Sequence, residues 1–407
     1  MADSSDVSET PRYPPEDEVA LSTIAREWTR IGVIGFGGPP AHIKLLRKLC
    51  VEDREWLSPD EFEDGIAAVN ILPGPASTQL AIFCAWRLRG TIGALLGATC
   101  FILPGLVLIL GLSALFLGSH PPLGIAGAAA GAGAAVPAVA LNAAAGLMGS
   151  SWRRTGRAKT PRAVRDTRAR WVAYVAAGGA AAAVPAVGPL LVIVLISCGL
   201  IEVGLHLRVA GDVPRPPIPM LVPWLAVTLG ASGFGALIWV AFKVGALAFG
   251  GGFVIIPLMQ HDAVSTYHWL SKAQFLNAVA LGQVTPGPVV LTVAAVGYAA
   301  KGLVGGLLAT VVAFAPSCLF VIVGARHFDR LRSNAGASEF LAGAGAAAIG
   351  AIAGASIQLT LALGHLWQFG VLGLAAIWLL ALRKGVVVAL LAAGLLGVVA
   401  ALAGAPV

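Results

Sequence analysis

Residues 70–81 read Asn70-Ile71-Leu72-Pro73-Gly74-Pro75-Ala76-Ser77-Thr78-Gln79-Leu80-Ala81, a Pro-Gly-Pro set in an apolar stretch. Residues 283–292 repeat the device as Gln283-Val284-Thr285-Pro286-Gly287-Pro288-Val289-Val290-Leu291-Thr292. Proline stops a helix and glycine admits a turn, so each stretch reads as a helix interrupted and restarted.

These stretches anchor a longer duplication. Phe36-Gly37-Gly38 matches Phe249-Gly250-Gly251, Trp56-Leu57-Ser58 matches Trp269-Leu270-Ser271, and Phe62 matches Phe275. The spacing is constant: 249 − 36, 269 − 56, 275 − 62 and 286 − 73 all equal 213. After a one-residue deletion, Arg89-Gly90 against Lys301-Gly302, Gly93 against Gly305 and Pro104 against Pro316 are 212 apart. The copies cover at least residues 30–104 and 243–316.

The surroundings are membrane-like. Hydrophobic residues make up 57% of the chain, charged residues only 12%, and the mean hydropathy is +0.85. Runs such as Leu95 to Leu117 and Val386 to Leu402 have no polar face, which argues against a soluble helical solenoid. The net charge of +7 does not point to nucleic acid, because eight Lys/Arg crowd into residues 153–170 between two apolar blocks, as in a cytoplasmic loop. The five cysteines lack metal-ligand spacing and form no disulfide framework, so neither a metal nor another cofactor is expected. No nucleophile with a base and no phosphate loop is present, so an enzyme is not expected either.

Charge also sets the topology. The linker from Lys44 to Glu55 holds Lys44, Arg47, Lys48 and Arg54, whereas its counterpart from Pro257 to His268 has no Lys or Arg. The positive-inside rule places the first linker in the cytoplasm and allows the second outside, which implies oppositely oriented copies. Each Pro-Gly-Pro then marks a hairpin of half-helices, Glu61 to Leu72 with Ala76 to Trp86, and Lys272 to Thr285 with Val289 to Ala300. Spans near Leu21 to Gly38, Thr91 to Leu117, Leu123 to Met148, Trp171 to Val187 and Leu190 to Leu207 give the first half an odd number of crossings. The second half begins near Gly233 to Gly252, and Ile218 to Leu229 has no settled place.

The expected fold is an all-α polytopic membrane protein, an inverted repeat of two homologous halves. It has about ten transmembrane helices plus two broken helical hairpins, by the ~20 residues one crossing needs. Residues 1–20 read as a disordered acidic tail, 21–207 as the first repeat, 208–232 as a linker and 233–407 as the second repeat.

Chemistry is expected at the breaks. Lipid leaves no backbone amide unpaired, so Pro-Gly-Pro is tolerated only against protein or a water-filled cavity, and transporters use such breaks as substrate sites. The restarted helix exposes N–H groups and the positive end of its dipole, which favour an anion. The candidate substrate-binding residues are therefore Pro73, Gly74 and Pro75 with Asn70, Ser77, Thr78 and Gln79. In the second copy they are Pro286, Gly287 and Pro288 with Gln283, Thr285 and Thr292. A mere kink whose polar residues satisfy freed backbone groups is the other reading.

Gly37, Gly38, Gly250, Gly251 and Gly252 permit either close helix packing or backbone approach to an anion. Arg30 and Lys243 lie 213 apart within apolar spans. Either they face inward and offset a dianion's desolvation, or they snorkel to the interface. If they face inward, replacing either with alanine abolishes transport. His42, Asp64 and Glu202 are candidates for proton or ion coupling, or else packing residues.

The residues Gly35-Phe36-Gly37-Gly38-Pro39, Trp56-Leu57, Phe62, Leu72-Pro73-Gly74-Pro75 and Thr78-Gln79-Leu80-Ala81 resemble the signature of the chromate ion transporter family in its long, two-domain form. Phe249-Gly250-Gly251-Gly252-Phe253, Pro257 and Leu281-Gly282-Gln283-Val284-Thr285-Pro286-Gly287-Pro288 resemble its second domain. Pro40 and Ala76 depart from the pattern. The resemblance implies chromate export conferring resistance, with sulfate as the structural analogue and the cell membrane as the location. Sulfate or other oxyanion uptake or exchange is the alternative, and a channel-like or sensory membrane protein the rival outside transport. The partners expected are chromate or sulfate, the lipid bilayer and a second copy of the chain as a homodimer.

Overall fold

A backbone crossing lipid must satisfy its own hydrogen bonds, and long runs of Ala, Leu, Val and Gly do so as helices. The computed structural model describes residues 19–70, 72–117, 121–156, 160–184, 190–210, 233–248, 252–324 and 335–407, and every regular element among them is helical. Gly250, Gly251, Ile218 to Leu229 and most of the 208–232 linker lie outside the described residues.

In chain order the first half contains α1 (Leu21–Ile34), α2 (Pro39–Arg47) with a π-helical turn (Lys48–Asp53), α3 (Pro59–Val69), α4 (Ala76–Phe116), α5 (Leu123–Thr155), α6 (Pro161–Ala183) and α7 (Leu191–Ala210). The second half contains α8 (Phe234–Ala246), α9 (Ile255–Gln260) with a π-helical turn (His261–Thr266), α10 (Lys272–Val284), a 3-10 turn (Val289–Leu291) leading into α11 (Thr292–Gly324), α12 (Ala335–Leu361), α13 (Leu366–Ala376) with a third π-helical turn (Ile377–Ala381), and α14 (Val386–Leu402).

The duplication extends to backbone detail. Ser58 and Ser271, 213 apart, each close a capping box, with Glu61 and Gln274. Glu55 and His268, also 213 apart, share the left-handed conformation at φ 50° and 51°, which is strained for residues bearing a Cβ. The two linker π-turns coincide in register as well, since 48 + 213 = 261.

Length shows where the long helices must break. α4 has 41 residues, about 60 Å at 1.5 Å per residue, twice the hydrocarbon thickness of a bilayer. It is interrupted at Arg89 and at Gly90, whose φ is 58°, and α11 is interrupted in the same way at Lys301 and at Gly302, whose φ is 61°. Each is therefore a half-helix from the Pro-Gly-Pro turn followed by a full span, matching the expected hairpins.

Five helices among the described residues are long and apolar enough to cross a membrane: Ala76–Phe116, Leu123–Thr155, Leu191–Arg208, Val289–Gly324 and Ala335–Leu361. Phe234–Ala246, Leu366–Ala381 and Val386–Leu402 are shorter apolar helices. The chain is thus a multi-pass helical membrane protein. The basic stretch at 153–170, read as a loop, is largely helical: α5 runs on through Arg153 and Arg154, and Thr160 caps α6, which carries Arg162 to Arg170. Arginine is a good helix former, so charge moves the chain out of lipid without ending the helix.

The copies interlock. α1 packs on α4 as α8 packs on α11, and α4 packs on α11 across the repeat. α5 packs against α13 and α14 of the second half, while α12 packs against α6 and α7 of the first. Small residues allow this close approach. A methyl group on Gly32 of α1 would lie 2.6 Å from the Phe101 carbonyl oxygen of α4, and one on Gly245 of α8 would strike Ala313 of α11 at the equivalent place.

Candidate functional site

The first turn is held from several sides. Gly74 has φ 129°, a region closed to L side chains, and the following half-helix starts at Ala76 with no side chain capping it. Thr78 N and Gln79 N already donate to Pro75 O, at 2.9 and 3.0 Å. Trp28 of α1 holds the half-helix by donating from Nε1 to Ala81 O at 2.9 Å.

Ser77, Thr78 and Gln79 are all buried. Gln79 Nε2 donates to Pro73 O at 2.7 Å, but Gln79 Oε1 and Thr78 Oγ1 have no hydrogen-bond partner. Ser317 of α11, 0% exposed, also has an unpartnered hydroxyl. A methyl group built on Gly74 would come 2.6 Å from Gln79 Nε2 and 2.8 Å from Ser317 Oγ, so both side chains press on the turn. A buried polar group without a partner costs about 1–3 kcal/mol, so Gln79 and Ser317 at the turn, with Thr78 one position before Gln79, are groups that a polar guest would relieve.

His42 joins the turn to the glycine cluster. Its ring is fully buried, with Nδ1 3.2 Å from Ser77 Oγ, Nε2 2.9 Å from Gly35 O, and an edge contact to Phe101. A carbonyl only accepts, so Nε2 carries a hydrogen. Gly35 O also accepts from Gly287 N at 3.0 Å, so this one carbonyl ties the first copy's glycine cluster to the second copy's turn.

The second turn is better satisfied. Gly287 has φ 100° and its N–H is taken by Gly35. Thr285 and Thr292 donate to their own helical carbonyls, Leu281 O and Val289 O, at 3.0 and 2.8 Å. Only Gln283 Nε2 is left unpartnered there. Pro286 packs against Gly105 of α4, as Gly74 packs against Ser317.

Other candidates fall elsewhere. Gly38 and Gly252 are buried with φ 74° and 89°, whereas Gly37, Asn70 and Asp64 are exposed. The Arg30 side chain is 53% exposed and pairs with Glu27 at 2.9 Å, which fits the interfacial reading. Lys243 is buried but forms an ion pair with Asp262 of the second π-turn. Burial, with Asp262 adding to it, pushes the nearby Tyr267 phenol up. Glu202 pairs with Arg170 at 2.8 Å between α7 and α6, and that hydrogen bond raises the guanidinium pKa further.

Sequence reasoning missed Ser317 and Asp262. The signal for Ser317 was its register: 317 − 212 = 105, so a hydroxyl stands where the first copy has glycine. The signal for Asp262 was that it is the one acid between Pro257 and His268.

Interlocked, duplicated helices with two broken elements meeting at buried polar groups define a membrane protein of the transporter class. The chain belongs to the Chromate transporter family, whose model matches residues 22–203 and 235–398, one segment on each copy. It is 30% identical over 365 residues to the chromate transport protein of Cupriavidus metallidurans, covering 83% of this chain and 82% of that one. It is 29% identical over 414 residues to the chromate transport protein of Pseudomonas aeruginosa, covering 95% and 94%. The probable chromate transport protein of Synechococcus elongatus is 28% identical over 352 residues, with 84% of each chain covered. No solved structure matches the chain.

Proposed function

We propose that the protein is a secondary active transporter that exports chromate, and related tetrahedral oxyanions such as sulfate, from the cytoplasm across the cell membrane. The observation that carries this reading is the group of buried, unpartnered polar atoms at the first Pro-Gly-Pro turn, beside an uncapped half-helix N-terminus. Hydroxyl and amide donors there suit an oxyanion, and the helix dipole favours its charge. Family membership narrows the oxyanion to chromate.

Two oppositely oriented copies, meeting at α4 and α11, would give alternating access by rocking about their interface. A negative-inside potential drives an anion outward, at about 2.3 kcal/mol per charge per 100 mV. His42 is the candidate for proton coupling, because it touches Ser77 and, through Gly35, the opposite turn.

The test is uptake of labelled chromate into everted membrane vesicles. Saturable uptake inhibited by sulfate is the expected result. No uptake above that of vesicles lacking the protein would overturn the export reading, and uptake only into right-side-out vesicles would reverse its direction.

A further inference from the structure

We infer that the chain has one oxyanion pocket rather than one per copy, and that Ser317 of the second copy completes the first copy's pocket as a specificity-determining contact. The inference rests on the oxyanion reading proposed above.

The repeat supplies the internal control. Adding 213 carries Ala76-Ser77-Thr78-Gln79 onto Val289-Val290-Leu291-Thr292, so three polar side chains become one. Thr292 spends its hydroxyl on Val289 O, 2.8 Å away within its own turn. The partner helix changes in the same sense: the first turn faces Ser317, whereas the second faces Gly105, which has no side chain to offer. The second turn's Gly287 N–H is already bonded to Gly35 O. An anion arriving there would find the Gly287 amide in use and a largely apolar wall, with Gln283 Nε2 as the single unpartnered donor against the three side chains of the first turn.

The first turn keeps its donors. Ser317 Oγ and Thr78 Oγ1 each have an O–H to give, and Gln79 Nε2 has a second hydrogen beyond the one given to Pro73 O. Gln79 Oε1, also unpartnered, is the one atom of the set that can only accept. It would repel a fully ionised oxyanion unless it turns away, and it would suit one carrying a proton. Ser317 reaches this turn only because α11 packs across on α4, so the pocket is complete only when the two copies are closed on each other. A donor that leaves as the copies separate weakens binding in the open states, as alternating access needs.

The test uses full-length protein. Ser317→Ala should raise KM for chromate about tenfold with kcat little changed, the loss expected for one hydrogen bond to a charged group. Ser317→Thr, which keeps the hydroxyl, should recover most of the affinity. Ser356→Ala, removing a buried hydroxyl already satisfied by Ala353 O, should leave KM as in the parent. Calorimetry of the purified parent with chromate and with sulfate should give one site per chain, which stands even if Ser317→Ala fails to insert.

Two sites per chain, or unchanged KM in Ser317→Ala, would overturn this inference and leave the transport reading intact. Absence of any saturable binding or transport by the parent would overturn both.

Discussion

The two Pro-Gly-Pro turns share a backbone and differ in what surrounds it. Gly74 and Gly287 both sit at positive φ, each follows a Ser-capped helix, and each leads into a half-helix that breaks again at Gly90 or Gly302. Yet the first turn is lined by unpartnered polar atoms, while the threonines at the second are satisfied by their own helix. Duplication therefore fixes the scaffold, and side-chain divergence on it separates the turn proposed to bind from one whose amide ties the copies together.

The ion pairs diverge too. In the first copy the acid, Glu27, is on the first helix and Arg54 reaches it from the linker at 3.4 Å. In the second copy the base, Lys243, is on the helix and Asp262 comes from the linker. The same tie is made with reversed polarity.

The sharpest way to break the comparison is at the glycines. Alanine at Gly74 meets Gln79 and Ser317 as well as an unfavourable φ, whereas alanine at Gly287 meets Leu291 only at 3.4 Å. A left-handed L residue costs about 1–2 kcal/mol, roughly 5- to 30-fold, so Gly287→Ala should slow vesicle transport by about that factor. Gly74→Ala should slow it by at least about 100-fold, because the clash adds to the same strain. Equal losses would mean that the turns are equivalent.

The ion pairs come next. Lys243→Ala leaves Asp262 without its cation and should destabilise the protein by about 3 kcal/mol in detergent melting. Arg30→Ala, at a half-exposed pair, should cost less than about 1 kcal/mol and keep transport. Loss of transport in Arg30→Ala with intact stability would restore the inward-facing reading of that cation.

Smaller again, Thr78→Val should raise KM for chromate about tenfold, a change of about 1.4 kcal/mol, and more than Thr292→Val does. The reverse order would move the binding turn to the second copy. Last, burial lowers the His42 pKa from its ordinary value, so His42→Gln should flatten the acid side of the transport pH profile, at modest cost in rate at neutral pH. An unaltered pH profile would remove His42 from coupling.

Much of this scaffold is legible from residues alone. Proline and glycine act locally, so the breaks, half-helices and long spans follow from Pro73 to Pro75, Pro286 to Pro288 and the apolar runs between them. The π-turns at Lys48–Asp53 and His261–Thr266 carry no such signal. The site is less legible because its contacts are distant in sequence. Ser317 is more than two hundred residues from Gly74, and the Gly35 carbonyl bonds a glycine of the other copy. Arg30 and Lys243 look alike in register, but only packing separates a half-exposed arginine from a buried lysine.

The opposed orientation of the copies is the claim on which alternating access depends, and accessibility labelling tests it most directly. Asp53 and Thr266 are exposed repeat equivalents at the ends of the two π-turns, since 53 + 213 = 266. With the native cysteines replaced, cysteine at 53 should react with a membrane-impermeant maleimide only from the cytoplasmic side, and cysteine at 266 only from the opposite side. Labelling of both from one compartment would contradict the inverted arrangement.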